Sequence, residues 1–549
     1  MAGAAAPPQG LTELLSVMPA GAPVNVVFVD VERLDAVVKD VQRRFSPGDV
    51  PAGFLDQMKQ TIPLAQWADY GEPIGITVFD VQQNSDNALI WLRIPGFAEK
   101  MKSWEQATQE EGVWTFPVTN FSQGFARKVG DFVQFTDHRP LFDQVDAASK
   151  GKKLADVLRP RMDLFVNRHV LMHVNAEPLR GLITGQLAQA SQMAPMILAM
   201  SAQQSGQDPA MAVGTVSAMI DAFTRFVEQL DTLDLTLGLT KDDATLTVAA
   251  GFKDGPIRQY LQRCQPASEG VLLASLPDRG FVVAGAYHVP GKDAPFMDYF
   301  IQQMLSAKPP MMPPPAGGEE KKPASQEVWK KSLESGRRIA RLTTGQNFLA
   351  TVSEGSLCVL SDYLTDSPAE IEKLVGETPE TLGGLLSAAG PQFEKLKPQT
   401  VHGVTVSSFR LQMPANNPQM AAMARIYGAN PVMAVGTIGH RVRAYLGAEE
   451  HLSEAFASGG APLARNARVQ EALRKLPRKR NGVLLIDPAG ILPMIGPMLG
   501  MPVTKTIPPG PPIAVSLSLS GEPARLDVHV PFRAIERIKE AMPSPNEPM

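Results

Sequence analysis

Internal repetition constrains this chain more than any other feature. The run Leu235-Thr236-Leu237-Gly238-Leu239-Thr240 reads without gaps against Val515-Ser516-Leu517-Ser518-Leu519-Ser520, 280 positions later. The same spacing carries Leu246-Thr247-Val248 onto Leu526-Asp527-Val528, and Phe252-Lys253 onto Phe532-Arg533. Each copy alternates apolar with small polar residues, the period-2 signature of a half-buried strand. A short polar connection separates the arms, and each copy then runs into a short helix, over residues 257–264 or 534–542. A β-hairpin followed by a helix is therefore expected twice.

Other segments recur in the same order. Met18-Pro19 and Leu276-Pro277 each lead into an apolar strand. Lys128-Val129-Gly130-Asp131-Phe132-Val133 aligns with Thr437-Ile438-Gly439-His440-Arg441-Val442, and Leu154-Ala155 aligns with Leu463-Ala464. The strand ending at Asn175 aligns with the strand ending at Asp487. Self-similarity of this length predicts two halves of like topology, 1–265 and 266–549. A chain of 549 residues also exceeds what one core supports. The expected class is α+β: two pseudo-repeated halves, each a mainly antiparallel sheet with helices packed on one face.

Two segments break the symmetry. The first half carries a Met-rich insertion, about residues 179–230, read as a helical hairpin turning at Ser205-Gly206-Gln207-Asp208-Pro209. The second half carries a Pro-rich stretch, 308–325, read as a loop inside that half. One helix start is well specified. Ser367-Pro368-Ala369-Glu370 offers a cap, a proline at the first helical position and a capping-box glutamate, with Gly376 as the expected end.

Composition limits function. With 52 basic and 56 acidic residues the net charge is -4, so no global field draws nucleic acid or anionic membranes. No stretch approaches the roughly 18 apolar residues of a membrane-spanning helix. Cys264 and Cys358 cannot build a four-cysteine zinc site, and whether they pair is open. No hydrolase elbow, zincin, nucleotide-binding or calcium-loop motif occurs.

His169 and His173 lie four apart in a strand context, where about 13 Å separates such positions, too far for one ion. No catalytic residue, metal or cofactor is expected. The basic run 474–480 lacks interleaved aromatics and reads as a solvated connection. Asn175 and Asp487 read as caps of the turns that follow them. Met193, Met196, Met200, Met211 and Met219 remain as the candidate surface for a protein partner or an apolar ligand. Amphipathic packing of the same residues onto the first half's own sheet is the favoured reading, because core stripes are commoner than exposed patches.

The Pro-containing lead into an apolar strand, the Val129–Val133 strand, and the run from Leu463-Ala464-Arg465-Asn466 through Leu476-Pro477 to residues 483–487 carry a resemblance. The chain resembles predicted exported bacterial proteins grouped as a domain family of unknown function. The resemblance spans most of the chain. It implies a bacterial origin and an envelope or periplasmic location, and it supplies no catalytic residues. The small residues Ala2-Gly3-Ala4-Ala5-Ala6 before Pro7 suit the neighbourhood of a signal cleavage site; a cytoplasmic location is the alternative. The expected function is that of a non-enzymatic cell-envelope protein with a structural or binding role. A carrier of an apolar ligand held between sheet and helices, and an enzyme of unrecognised type, stand as alternatives.

Overall fold

The computed structural model describes residues 8–45, 53–80, 87–119, 122–165, 167–205, 209–268, 270–288, 324–353, 355–385, 392–413, 421, 424, 426–428, 430–457, 459–491, 509–521 and 523–541. Two compact units emerge: Met1–Gly181 with Leu230–Gly251, and Leu182–Gln229 with Phe252–Met549. Packing thus groups residues 182–229 and 252–265 with the second unit, whereas the boundary at 265 follows the sequence repeat.

The first unit contains strands β1 (Val24–Phe28), β2 (Ile74–Val78), β3 (Ala88–Arg93), β4 (Thr108–Glu110), β5 (Val113–Thr119), β6 (Ser122–Val129), β7 (Phe132–Thr136), β8 (Val170–Asn175), β9 (Leu230–Leu239) and β10 (Asp243–Phe252). Its helices are α1 (Gln9–Val17), α2 (Val31–Phe45), α3 (Phe54–Thr61), α4 (Phe97–Lys102), α5 (Leu141–Ser149) and α6 (Leu154–Leu158). From β1 the sheet runs outward through β2, β3, β7, β6, β5 and β4 on one side, and through β8, β9 and β10 on the other. Leu11, Leu14 and Leu15 of α1, Leu141 and Val145 of α5, and Leu154 and Leu158 of α6 close over Val27, Leu89, Trp91 and Leu171 of the sheet.

The second unit begins with the helical hairpin, α7 (Ala176–Ser205, whose first turn belongs to the first unit) and α8 (Pro209–Gln229). It continues with helices α9 (Pro256–Arg263), α10 (Ala324–Leu342), α11 (Pro368–Leu385), α12 (Leu452–Phe456), α13 (Ala467–Arg474) and α14 (Phe532–Ala541). Its strands are β11 (Val283–His288), β12 (Thr343–Ser353), β13 (Ser356–Thr365), β14 (Gln392–Lys395), β15 (Gln399–Val401), β16 (Val404–Gln412), β17 (Val432–Ile438), β18 (Arg441–Gly447), β19 (Gly482–Ile486), β20 (Ile513–Ser518) and β21 (Ala524–Pro531). From β11 the order runs through β12, β13, β18, β17 and β16, which takes β14 and β15, and on the other side through β19, β20 and β21. The class is α+β, with antiparallel pairing throughout these ladders.

Local chemistry explains several elements. At the β9–β10 turn the Thr240 N–H donates to the Asp243 carbonyl at 2.8 Å, and the Asp243 N–H donates back to Thr240 Oγ1 at 3.0 Å. Asn175 and Asp487 cap as expected: each accepts through Oδ1 from the backbone N–H two residues on, at 3.1 and 3.0 Å. Helix α11 departs from expectation. It passes through Gly376 and Pro379 to Leu385. Gly376 does not adopt the left-handed conformation that would end a helix there. Glu370 pairs with Arg338 of α10 instead of closing a capping box. Most of the Pro-rich stretch 308–325 lies outside the described residues.

The hairpin strands alternate, but the buried face is the polar one. On β9, Thr232, Asp234 and Thr236 are buried while Leu233, Leu235 and Leu237 are only half-buried. On β20 and β21, Ser516 and Asp527 are buried, and Leu517 and Leu526 are each 38% exposed. Hydrophobicity alone would turn the leucines inward. The register reverses this by aligning Asp234 with His173, Asn25 and Thr77 in one cross-strand row facing the helices. Gly238 on that face leaves room for its neighbours: a Cβ there would stand 3.1 Å from the Asn167 carbonyl oxygen and 2.9 Å from the Arg168 guanidinium, so both would have to shift.

Equivalent backbone contacts occur inside each unit. An isolated bridge joins Pro19 to Lys153, and another joins Pro277 to Pro462. The Leu154 N–H reaches the Met18 carbonyl at 2.9 Å, and the Leu463 N–H reaches the Leu276 carbonyl at 2.8 Å. His169 Nδ1 accepts from the Leu239 N–H at 3.1 Å, and Asn481 Oδ1 accepts from the Leu519 N–H at 2.7 Å. His169 therefore acts as a neutral acceptor beside a strand end. Burial, aided by Arg33, lowers its pKa below the ordinary 6.5.

A histidine neutral in the fold but free to protonate when unfolded stabilises fully above about pH 6.5, and that contribution fades as pH falls from there toward the lowered folded value. His169→Leu, which orphans the Leu239 N–H, should cost about 1–3 kcal/mol at neutral pH. His169→Asn should retain most of that stability and should lose less than the native chain between pH 7.5 and 5.5. Urea unfolding of the three proteins at both pH values checks this.

Candidate binding surface

The hairpin α7–α8 is unusual in composition. From Leu182 to Ser205 it contains no Asp, Glu, Lys or Arg. Beside exposed Gln186, Gln189, Gln192, Asp221, Arg225 and Glu228, it exposes large apolar side chains: Met193 is 44% exposed, Met196 59%, Ile197 55%, Met219 55% and Phe223 52%. Among the described residues, the large hydrophobic side chains exposed above 40% all lie on these two helices. The side chains of Met200 and Met211 lie outside the described residues. The expectation that these methionines face inward as core fails for Met193, Met196 and Met219, which face solvent.

The far end of α8, where it meets β9, is built differently. Ala222 and Val227 are buried, and the Phe226 ring meets Phe252 edge-on at 5.2 Å. Ile257 N–H donates to Gln229 Oε1, and Lys253 N–H to the Gln229 carbonyl. That end is anchored, while the exposed apolar positions start one turn before it at Phe223 and extend away. Methionine thioethers offer flexible, polarisable contact there.

The buried ionic groups are consumed by the fold. In the first unit Asp234 is fully buried, accepts from Arg161 Nη1 at 2.6 Å, and lies 2.6 Å from His173 Nδ1. Asn25 donates to the Pro19 carbonyl and accepts from Thr77, which in turn accepts from the Trp91 indole. In the second unit Arg443 grips Asp362 through Nε at 2.6 Å and Nη2 at 2.8 Å, while Nη1 donates to the Ala455 carbonyl and Nη2 also to the Ser275 carbonyl. Sequence reasoning passed over these four charged residues. The available signal was a carboxylate interrupting an alternating strand, Asp234 between leucines in β9 and Asp362 in β13.

His169 and His173 are both buried and serve different partners, a backbone N–H and Asp234. The basic run 474–480 is the last residue of α13 and the turn after it, with Arg474, Lys475, Arg478 and Lys479 exposed and Arg480 donating to the Leu473 carbonyl. Cys264 and Cys358 are free buried thiols. Among the described residues no helix is long and apolar enough to cross a membrane.

No family model matches the chain, and no curated protein matches it. A solved structure described as crystal form I of TP0453 aligns with 47% of this chain and 88% of its own, at 10% identity and a TM-score of 0.23. That likeness is too distant to carry an argument.

Breaking one partner of a buried ion pair strands the other. Arg443→Met should cost about 3–5 kcal/mol by leaving Asp362 buried without its guanidinium. Arg410→Met, at the exposed pair with Glu449, should cost no more than about 1 kcal/mol. Denaturant midpoints of the two variants decide this.

Proposed function

We propose that this chain is a non-enzymatic binding protein of the bacterial cell envelope, built from two copies of one α+β unit, that docks a protein partner on the outer part of hairpin α7–α8. The observation that carries the reading is the solvent exposure of Met193, Met196 and Ile197 on a stretch of α7 without charged residues, together with Met219 and Phe223 on α8. Exposed apolar patches on a folded chain mark interaction sites, and charge depletion is what the core of a protein interface shows. The envelope location rests on the family resemblance in the sequence. The like strand order of the two ladders and the paired bridges at Pro19 and Pro277 support a duplication. The stretch of chain between β19 and β20 is about half as long as that between β8 and β9, which supports reading the hairpin as an addition to the repeated unit.

A photo-crosslinking residue placed at 196 or 219, in cells of the producing bacterium, should give the same discrete protein adduct from both sites. The same residue at exposed Lys150 should not. Met193→Lys, Met196→Lys and Met219→Lys together should abolish the adduct while stability changes by less than about 0.5 kcal/mol per site. Absence of any adduct, or an equal adduct from position 150, rules the reading out.

A second reading, an apolar-ligand carrier, is favoured by the sheet faces. Val26, Met172 and Leu235 share one cross-strand row with Ile76 and Ile90 and are only half-buried. Organic extraction of the purified native protein followed by mass spectrometry distinguishes the two: a stoichiometric apolar molecule supports the carrier.

A further inference from the structure

Helix α7 carries two stripes of different fate. Ile183, Leu187, Ser191 and Ala194, spaced by four, four and three positions, are all half-buried, so the fold covers that side of the helix. Gln186, Gln189, Met193 and Met196, spaced by three, four and three, are all exposed. Met200 and Gln203 continue the second spacing by four and three. With about 3.6 residues per turn the second stripe occupies roughly a third of the circumference, on the side away from the first. Pro195 falls outside it. Alternating steps of three and four are the spacing of a seam along which one helix packs on another. From position 186 to position 203 the seam runs about 26 Å.

The chemistry of the seam narrows what can lie on it. Charged residues beside a helical seam ordinarily set partner and direction. From Leu182 to Gln207 this chain has none. A charged face laid there would lose water and gain no ion pair. The fitting partner is an uncharged seam with amide ends and a thioether middle, and a second copy of α7 is such a seam. The order Gln186, Gln189, Met193, Met196, Met200, Gln203 also reads nearly alike in both directions about the point between Met193 and Met196. Two copies running antiparallel about a two-fold axis at that point place Met193 against Met196 of the second copy, and Gln186 against Gln203 of the second copy. Thioethers then fill the centre, and the amides at each end donate and accept between themselves. The antiparallel direction also sets the two helix dipoles head to tail, which the parallel direction does not.

We infer that the exposed seam of α7 is a self-association site, pairing antiparallel with the same seam of a second copy of this chain; this names the partner of the docking surface proposed above and rests on that reading.

The purified full chain, with no other protein present, is expected to sediment at equilibrium as a dimer that dissociates in the micromolar range. Met193→Lys with Met196→Lys brings lysines of the two copies together at the axis and should weaken the dimer by about tenfold or more. A second readout reports the register. Chains carrying Gln186→Cys, mixed with chains carrying Gln203→Cys and oxidised, should form an interchain disulfide. Gln186→Cys alone should not, because its two copies stand about 26 Å apart. The native Cys264 and Cys358 are buried and leave this readout clear. A monomer at every concentration, a dimer indifferent to the two lysines, no disulfide in the mixture, or a disulfide between two Gln186→Cys chains would each overturn the pairing. Its failure is distinct from that of the hairpin reading. With a monomeric chain, a photo-adduct from position 196 to a different protein overturns the self-pairing and leaves the hairpin a docking surface, whereas no adduct at all overturns both.

Discussion

Asp234 sits at zero exposure in the middle of a strand, and the architecture around it follows from that fact. A carboxylate cannot stay charged in such a place without partners, because desolvation costs several kcal/mol per ion. Arg161 and His173 provide them, and both must come from sequence far from β9. The ion group thereby ties the 3-10 turn at residues 159–165 to β8 and β9 and fixes the register between those strands. A slip of one residue would carry Asp234 to the leucine face and strand Arg161. In the second unit a different pair occupies a different place: Asp362 of β13 and Arg443 of β18, held by register and by carbonyls of Ser275 and Ala455. The two units share a ladder order, yet each locks it with its own charges.

The same register accounts for the inverted polarity of the hairpins. Once the row Thr77, Asn25, His173 and Asp234 faces the helices, the intervening leucines and valines must face the other way. Such a face is costly to leave fully wet, and most of its residues are half-buried rather than exposed. The hairpin α7–α8 poses the opposite problem. Its anchored end is packed around Phe226 and Val227, while its outer part presents Met196, Ile197 and Met219 to solvent. A monomeric surface rarely concentrates large apolar groups this way without a use.

His169 illustrates how a residue that invites a chemical reading resolves into structure. Two histidines four apart suggest a metal on a helix. On a strand end, one becomes the acceptor for a backbone N–H that an asparagine serves in the other unit. Cys358, in an apolar strand, stays a buried free thiol, with its sulfur 3.5 Å from the Tyr445 hydroxyl.

By itself the sequence determined the α+β class, the two hairpin-and-helix segments, the strand context of His169 and His173, the Asn175 and Asp487 caps, and the existence of helices α7 and α8. All of these are local: periodicity, turn residues and caps act within a few positions along the chain. Only the tertiary structure decided which side of each strand is buried, that α11 runs on past Gly376, that Asp234 and Asp362 have partners, and that Met196 faces water. Those outcomes depend on pairing between residues tens to hundreds of positions apart. Alternation specifies that two faces differ, but the choice of the inward face was made by buried charges whose partners no local pattern announces.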